Sequence, residues 1–423
     1  MSAEGQRPAA GGRDGVAVLK QVGRTTTVVA SGMMTMNLLT YGFTLLAAHL
    51  LGPVAFGGLT AILGVLIIAN VGSVALQTTG ARRLATALGG EHAGTRRDVV
   101  RSGWFVSAGV ALLLGAAAPL MWFLLRIHDP VALALLAVSG VPLTISGAYS
   151  GIAQGDRRWP ALSAIYLATG AGRMVCGAAA LVVSATLRSA VVGVTVGSVV
   201  AAVVGWVLCR PPRHGEQSTP RSLPLMSEMW RNGHTLLALF AFTNLDVLVA
   251  RHLLTHHQAG IYAAGAVITK ACMFLPTFVL VVAFPTMAAR RRGRPWLLPA
   301  VAICVLGGGA MLVVWALPWL AVDFAGGRAY ADLTGVAWVF AFEGTAFALL
   351  QLLTYDTIAG QAHLAGVLWA GVVVALAVTL AFAHSVGAVV ATVSAVAVVL
   401  TLLTAVASSR RHGQRPFSVP GQP

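Results

Sequence analysis

TTVVASGMMTMNLLTYGFTLLAAHLLGPVAFGGLTAILGVLIIANVGSVALQTTGARR, residues 26–83, contains no Asp, Glu, Lys or Arg before Arg82. A helix crosses a bilayer in about 20 apolar residues at ~1.5 Å each. The stretch therefore reads as two spans, 26–48 and 58–78, separated by a turn at Gly52-Pro53. Working outward, ten further apolar runs follow at 102–125, 131–153, 161–184, 189–208, 234–254, 259–284, 297–321, 334–358, 363–383 and 386–407. Composition agrees with this reading. Of 423 residues, 57% are hydrophobic and 10% charged, whereas a soluble domain is about 25% charged. So few charges cannot cover a particle of this size with polar surface, which excludes a secreted enzyme, a cytosolic metabolic enzyme and a disordered scaffold. The expected fold class is all-α: a polytopic membrane protein of about 12 transmembrane helices.

The basic residues test the span map. The formal net charge of +15 comes from 28 Lys+Arg against 13 Asp+Glu. Alternating spans place 22 of the 28 on the side of the N-terminus, before residue 26 and at 82–101, 157–158, 210–231, 290–294 and 410–415. The opposite side holds Arg126, Arg188 and Arg328, while Arg173, Arg251 and Lys270 fall inside spans. Cytoplasmic loops of membrane proteins collect Lys and Arg, so both termini are expected in the cytoplasm and the chain in the cell membrane. Topology accounts for the excess charge, and nucleic acid is not an expected partner. Residues 1–24 are too long and mixed for a secretory leader, so the first span reads as retained. Cys176, Cys209, Cys272 and Cys304 are well separated, with no CxxC spacing, and read as packing residues without a metal or disulfide framework.

The polar segment CRPPRHGEQSTPRSLPLMSEMWR (209–231) divides the chain. The expected units are an N-terminal tail at 1–24, an N-lobe at 25–208, a linker at 209–233, a C-lobe at 234–408 and a C-terminal tail at 409–423. HLLGPVAFGGLTA (49–61) and HLLTHHQAGIYAA (252–264) share His-Leu-Leu, one Gly and a final Ala at a constant offset of 203 residues. Six spans return the chain to its starting side, so the two lobes are expected as a parallel repeat about an axis along the membrane normal.

Three stretches carry a resemblance: LLGPVAFGGLTAILGVLIIANVGSVALQTTGARRLA (50–85), SGAYSGIAQGDRRWPAL (146–162) and NLDVLVARHLLTHHQAGIYAAGAVITKACMFLPTFVLVVAFPTMA (244–288). The chain resembles the polysaccharide-exporter branch of the multidrug/oligosaccharidyl-lipid/polysaccharide flippase superfamily. The resemblance implies a transporter that moves a lipid-linked oligosaccharide, usually on an undecaprenyl-pyrophosphate carrier, from the inner to the outer leaflet for cell-surface polysaccharide or wall-polymer assembly. Alternating access of two six-helix lobes around a hydrated, cationic cavity would do this. The superfamily's lipid II flippases carry cavity arginines in early spans, and spans 1 and 2 here carry none, which favours another surface glycan. A multidrug/cation antiporter of the same superfamily and a non-transporting scaffold of a glycan-synthesis complex are the alternatives.

Ionisable residues at mid-bilayer cost about 2.5–3.5 kcal/mol to insert and are functional candidates by default. Arg173 lies about 18 Å into span 5, placed to fork two phosphate oxygens or to pack against a carbonyl or Glu343. Asp246 and Lys270 share a depth on consecutive antiparallel spans, as a structural ion pair or as a gating and coupling pair. Arg251, one turn from the outer end, either snorkels or binds cargo. Arg173, Lys270 and Arg251 are thus the substrate-binding candidates. Asp246, Glu343 and Asp356 are the coupling or gating candidates, and burial would suit Glu343 to carry a proton. H+ or Na+ is the corresponding partner. His252, His256 and His257 cluster at an outer turn, as solvated residues or as a metal site or pH sensor.

Absences narrow the chemistry. The two lysines, Lys20 and Lys270, lie in no GxxxxGK[ST] loop, which excludes P-loop ATP hydrolysis. The first outer loop, Gly52 to Phe56, carries no acid, and no carboxylates pair at short spacing. Neither an enzyme nor a cofactor is expected.

Overall fold

The computed structural model describes the backbone of residues 11–87, 92–210, 222–288, 296–359 and 365–414, and side chains over 27–87, 93–210, 233–274, 296–355 and 365–409. Thirteen α-helices run in order through it: α1 (Gly11–Ala69), α2 (Val71–Thr86), α3 (His92–Leu124), α4 (Pro130–Gly155), α5 (Trp159–Val183), α6 (Leu187–Cys209), α7 (Ser222–Leu253), α8 (His256–Ala288), α9 (Leu297–Ala316), α10 (Pro318–Ala325), α11 (Ala337–Ala359), α12 (Ala365–Phe382) and α13 (Val386–Gln414). A short 3-10 turn, Arg328–Leu333, precedes α11.

Gly52 breaks α1 into two limbs at φ 65°, ψ 169°, a conformation open to a residue without a Cβ, and Pro53 follows. Ten helical stretches among the described residues are long and apolar enough to cross a membrane. One of them, Thr27–Thr86, runs through the Gly52 break and holds the first two expected spans. With α8 the order reproduces all twelve, since α9 and α10 together form the ninth. That ninth span differs from the expected unbroken 297–321. Leu317 leaves helical geometry because Pro318 restricts the residue before it, and the chain restarts as α10. Two polar boundaries also differ. α1 starts at Gly11 and α7 at Ser222, within the stretches read as tail and linker, while 211–221 lies outside the described residues.

α1 to α6 pack on one another through α1–α5, α2–α4, α3–α4, α4–α6 and α5–α6; α7 to α13 do so through α7–α12, α8–α11, α9–α11 and α11–α13. The outer faces expose large apolar residues such as Leu112, Phe123 and Val183, as lipid contact requires, and Trp104 and Trp319 are exposed near span ends. Backbones approach closely at glycine. A Cβ on Gly197 of α6 would lie 2.5 Å from the Gly172 carbonyl carbon of α5. On α4, Gly147, Gly151 and Gly155 recur every four residues and meet Ser73, Gln77 and Ala81 of α2. Helices in lipid pack by such small-residue contacts, because no water is expelled when they meet.

The lobes join where α1 packs on α8 and α7, and where α2 and α3 meet α7. Gly57 and Gly260, the glycines that coincide in the sequence repeat, face each other there. A Cβ on Gly57 would sit 3.1 Å from the Gly260 Cα. Repeat-equivalent residues in mutual contact are what a parallel repeat places next to its axis.

Candidate functional site

The distal end is the one bearing Gly52, opposite the N-terminus. Arg173 lies distal to mid-length on α5. Gly170 and Gly177 seat this helix against Met36 and Phe43 of α1, and Gly172 seats it against α6. Arg173 is seven residues from Tyr166 and so shares its face of the helix. That face points into the N-lobe, because the Tyr166 hydroxyl accepts from Gln77 Nε2 of α2 at 2.8 Å. The same Nε2 donates to Gln154 Oε1 of α4 at 3.0 Å. Arg173 is half-buried and makes no hydrogen bond or ion pair among the described residues. Its expected neighbour Glu343 belongs to the other lobe. The N-lobe interior therefore carries a polar track of Gln77, Gln154 and Tyr166, which ends in an unpaired guanidinium about 10 Å further along α5.

The C-lobe interior holds the acidic candidates. Asp246 on α7 is 1% exposed and Glu343 on α11 fully buried. The Tyr262 hydroxyl of α8 donates to Asp246 Oδ2 at 3.1 Å, and the Thr269 hydroxyl sits 2.9 Å from Glu343 Oε2. Each carboxyl keeps one oxygen without a partner, Asp246 Oδ1 and Glu343 Oε1. Thr379 of α12 and Ser394 of α13 add two more buried, unpartnered hydroxyls. Asp246 and Thr379 line one narrow crevice that leaves no room for a water molecule. Lys270 does not pair directly with Asp246. Its ammonium donates to the Thr243 carbonyl at 2.5 Å and lies 5.9 Å from the centre of the Phe347 ring. The three charges are within electrostatic reach of one another. Rotation of α7 and α8 about their axes, invisible in a depth count, decides this outcome.

Arg251 does not snorkel. It is 5% exposed, and its Nε donates across the lobe seam to the Leu125 carbonyl at the end of α3, 3.0 Å away. His252 and His257 are also committed, to the Leu124 carbonyl at 3.0 Å and to Asp332 at 3.4 Å. The described residues contain no cluster able to hold a metal ion, and the four cysteines are free. Asp356 lies on α11, with its side chain outside the described residues. Sequence reasoning missed Gln77, Gln154, Tyr166, Tyr262 and Thr269. The two glutamines were the readable signal, since amides inside apolar spans need partners.

Residues 22–290 match the family described as polysaccharide biosynthesis protein. Among curated proteins no sequence match was found. Solved structures share the fold at low identity. The lipid II flippase MurJ in an inward closed conformation aligns at TM-score 0.70 and 10% identity, over 90% of this chain and 87% of that one. An inward-facing multidrug resistance MATE family transporter of the MOP superfamily aligns at 0.62 and 11%, over 92% and 98%. The eukaryotic MATE transporter AtDTX14 aligns at 0.57 and 14%, over 93% and 98%. The chain is an all-α, multi-pass membrane protein with a transporter fold, and it belongs to the polysaccharide biosynthesis protein family.

Proposed function

We infer that this protein is a flippase that carries a lipid-linked oligosaccharide with an anionic phosphate headgroup from the cytoplasmic to the outer leaflet, by alternating access of its two lobes. The observation that carries the reading is Arg173, an unpaired guanidinium at the end of a polar track inside the N-lobe. Holding such a group at this depth without a protein partner is unfavourable, and an anionic cargo offsets that cost. The family match and the likeness to a lipid flippase support the same class of cargo. The distribution of Lys and Arg supports a cytoplasmic N-terminus, which makes the distal end the outer one. An undecaprenyl-pyrophosphate carrier fits this reading: its headgroup takes the polar interior while its tail stays in the bilayer.

In this mechanism Arg173 and Lys270 hold the headgroup, and Asp246 and Glu343 couple transport to H+ or Na+. Their two free oxygens suit that role, because an ion or proton supplies the missing partner; Asp356 is a third candidate. The antiporter alternative draws on the same C-lobe carboxylates. Depleting the protein in its host and probing lipid-linked oligosaccharides with a reagent confined to the outer face separates the two. Cytoplasmic accumulation of one intermediate is expected, and its mass identifies the glycan. Unchanged intermediates with raised sensitivity to cationic drugs would move the assignment to the antiporter. Normal export by Arg173→Ala would favour a scaffold.

A further inference from the structure

At the distal end the lobes are joined by an exchange of cationic hydrogen bonds. Arg251 and His252 of α7 bond the Leu125 and Leu124 carbonyls at the end of α3, both at 3.0 Å. In return Arg126, just past α3, donates from Nη1 to the Leu254 carbonyl just past α7, at 3.2 Å. Each lobe thus caps the other's helix end, where carbonyls lack intrahelical partners and the helix dipole is negative. No carboxylate among the described residues balances these cations. Asp129 is held by Arg188 through two bonds of 3.1 Å, and Asp332 faces His257. Arg126 adds a second positive charge within electrostatic reach of Arg251. Arg251 is nineteen-twentieths buried, and its Nη1 has no hydrogen-bond partner. A buried guanidinium with a free N–H beside a second guanidinium lacks an anion.

We propose that Arg126 and Arg251 form an oxyanion site at the distal gate, latched by helix-end carbonyls while the lobes are closed and filled by phosphate oxygens when they part. The proposal rests on the transport reading and adds an exit station to it. Parting the lobes carries the end of α3 away from the end of α7 and strips both arginines of their carbonyls. Their planar forks then match phosphate, which accepts several charged hydrogen bonds at once. A phosphate that binds only the open arrangement shifts the population towards it. The headgroup itself would therefore hold the distal gate open as it leaves, and the carbonyls would reclaim the arginines afterwards.

The test uses the full chain in nanodiscs of phosphatidylcholine, with its native cysteines replaced and spin labels at Val54→Cys and Asp332→Cys, on opposite lobes at the distal end. Double electron–electron resonance reads the distance while inorganic pyrophosphate is added. Wild type is expected to move to longer distances. Arg126→Gln and Arg251→Gln are expected to be more open without pyrophosphate and to need about tenfold more of it, or to ignore it, as loss of a charged hydrogen bond implies. Arg251→Lys, which keeps the charge and packing but not the fork, controls for misfolding and should respond weakly. Nanodiscs containing phosphatidylglycerol separate the two sources of phosphate. Opening by that lipid alone keeps the site but assigns it to the bilayer. An equal response in wild type and both Gln variants, or no response in wild type, overturns the proposal. Failure here with blocked export by Arg173→Ala removes only the gate site, whereas normal export by Arg173→Ala removes the transport reading.

Discussion

Arg173 has no hydrogen-bond or ion-pair partner among the described residues, so truncating it breaks no polar contact. Removing an unpaired charge from the membrane interior is neutral or stabilising. Arg173→Ala is therefore expected to keep or raise the melting temperature while export falls about tenfold or more, and Arg173→Lys to restore part of it. A purely structural Arg173 would show the reverse. Glu343→Gln and Asp246→Asn keep shape and remove charge. If these carboxyls couple transport, each variant's export becomes insensitive to collapsing the ion gradient, measured in proteoliposomes. Asp129 gives a pH test outside the membrane. Burial alone would raise its carboxyl, but the Arg188 fork and the Ala132 and Val131 amides outweigh it and hold it below the ordinary 3.8. A lowered folded value means this contribution is complete above about pH 4 and disappears as acid passes through the folded value. Asp129→Asn is expected to lower the melting temperature near neutrality, with the gap from wild type closing below about pH 4.

Helices in this protein meet through glycine, and the consequences differ by position. A Cβ on Gly197 collides with α5, whereas one on Gly309 of α9 meets nothing within 4 Å. Gly197→Leu is expected to destabilise the N-lobe by about 1–3 kcal/mol or prevent its folding, and Gly309→Leu to be tolerated, as detergent-solubilised melting curves would show. Both glycines are equally plain in the sequence, but only the crossing of α5 and α6 distinguishes them. Gly147, Gly151 and Gly155 recur every four residues in the sequence, but such spacing marks a small face without naming what lies against it. The break at Gly52-Pro53 was fully readable, since both residues act on their own backbone.

At the scale of the molecule, the two lobes meet backbone to backbone where Gly260 faces Pro53. A Cβ there would lie 2.1 Å from the Pro53 carbonyl oxygen. Gly260→Ala should therefore leave each lobe folded but force the distal seam apart. Faster amide exchange in the distal turns of α1 and α8, at little changed global stability, is the expected reading. Exchange at the wild-type rate would show that the seam does not set the closed state.

The sequence by itself determined the all-α, multi-pass architecture and the order of its apolar helices. Bilayer thickness and helical rise act along the chain in one dimension, so a sequence encodes them directly. Only the tertiary structure decided that Lys270 turns to the Thr243 carbonyl rather than to Asp246, that Arg173 has no hydrogen-bond or ion-pair partner among the described residues, and that Arg251 is buried across the seam. Those outcomes depend on how each helix is rotated about its axis and where one lobe sits against the other. Both are fixed by packing among residues far apart in the chain, and no local pattern records them.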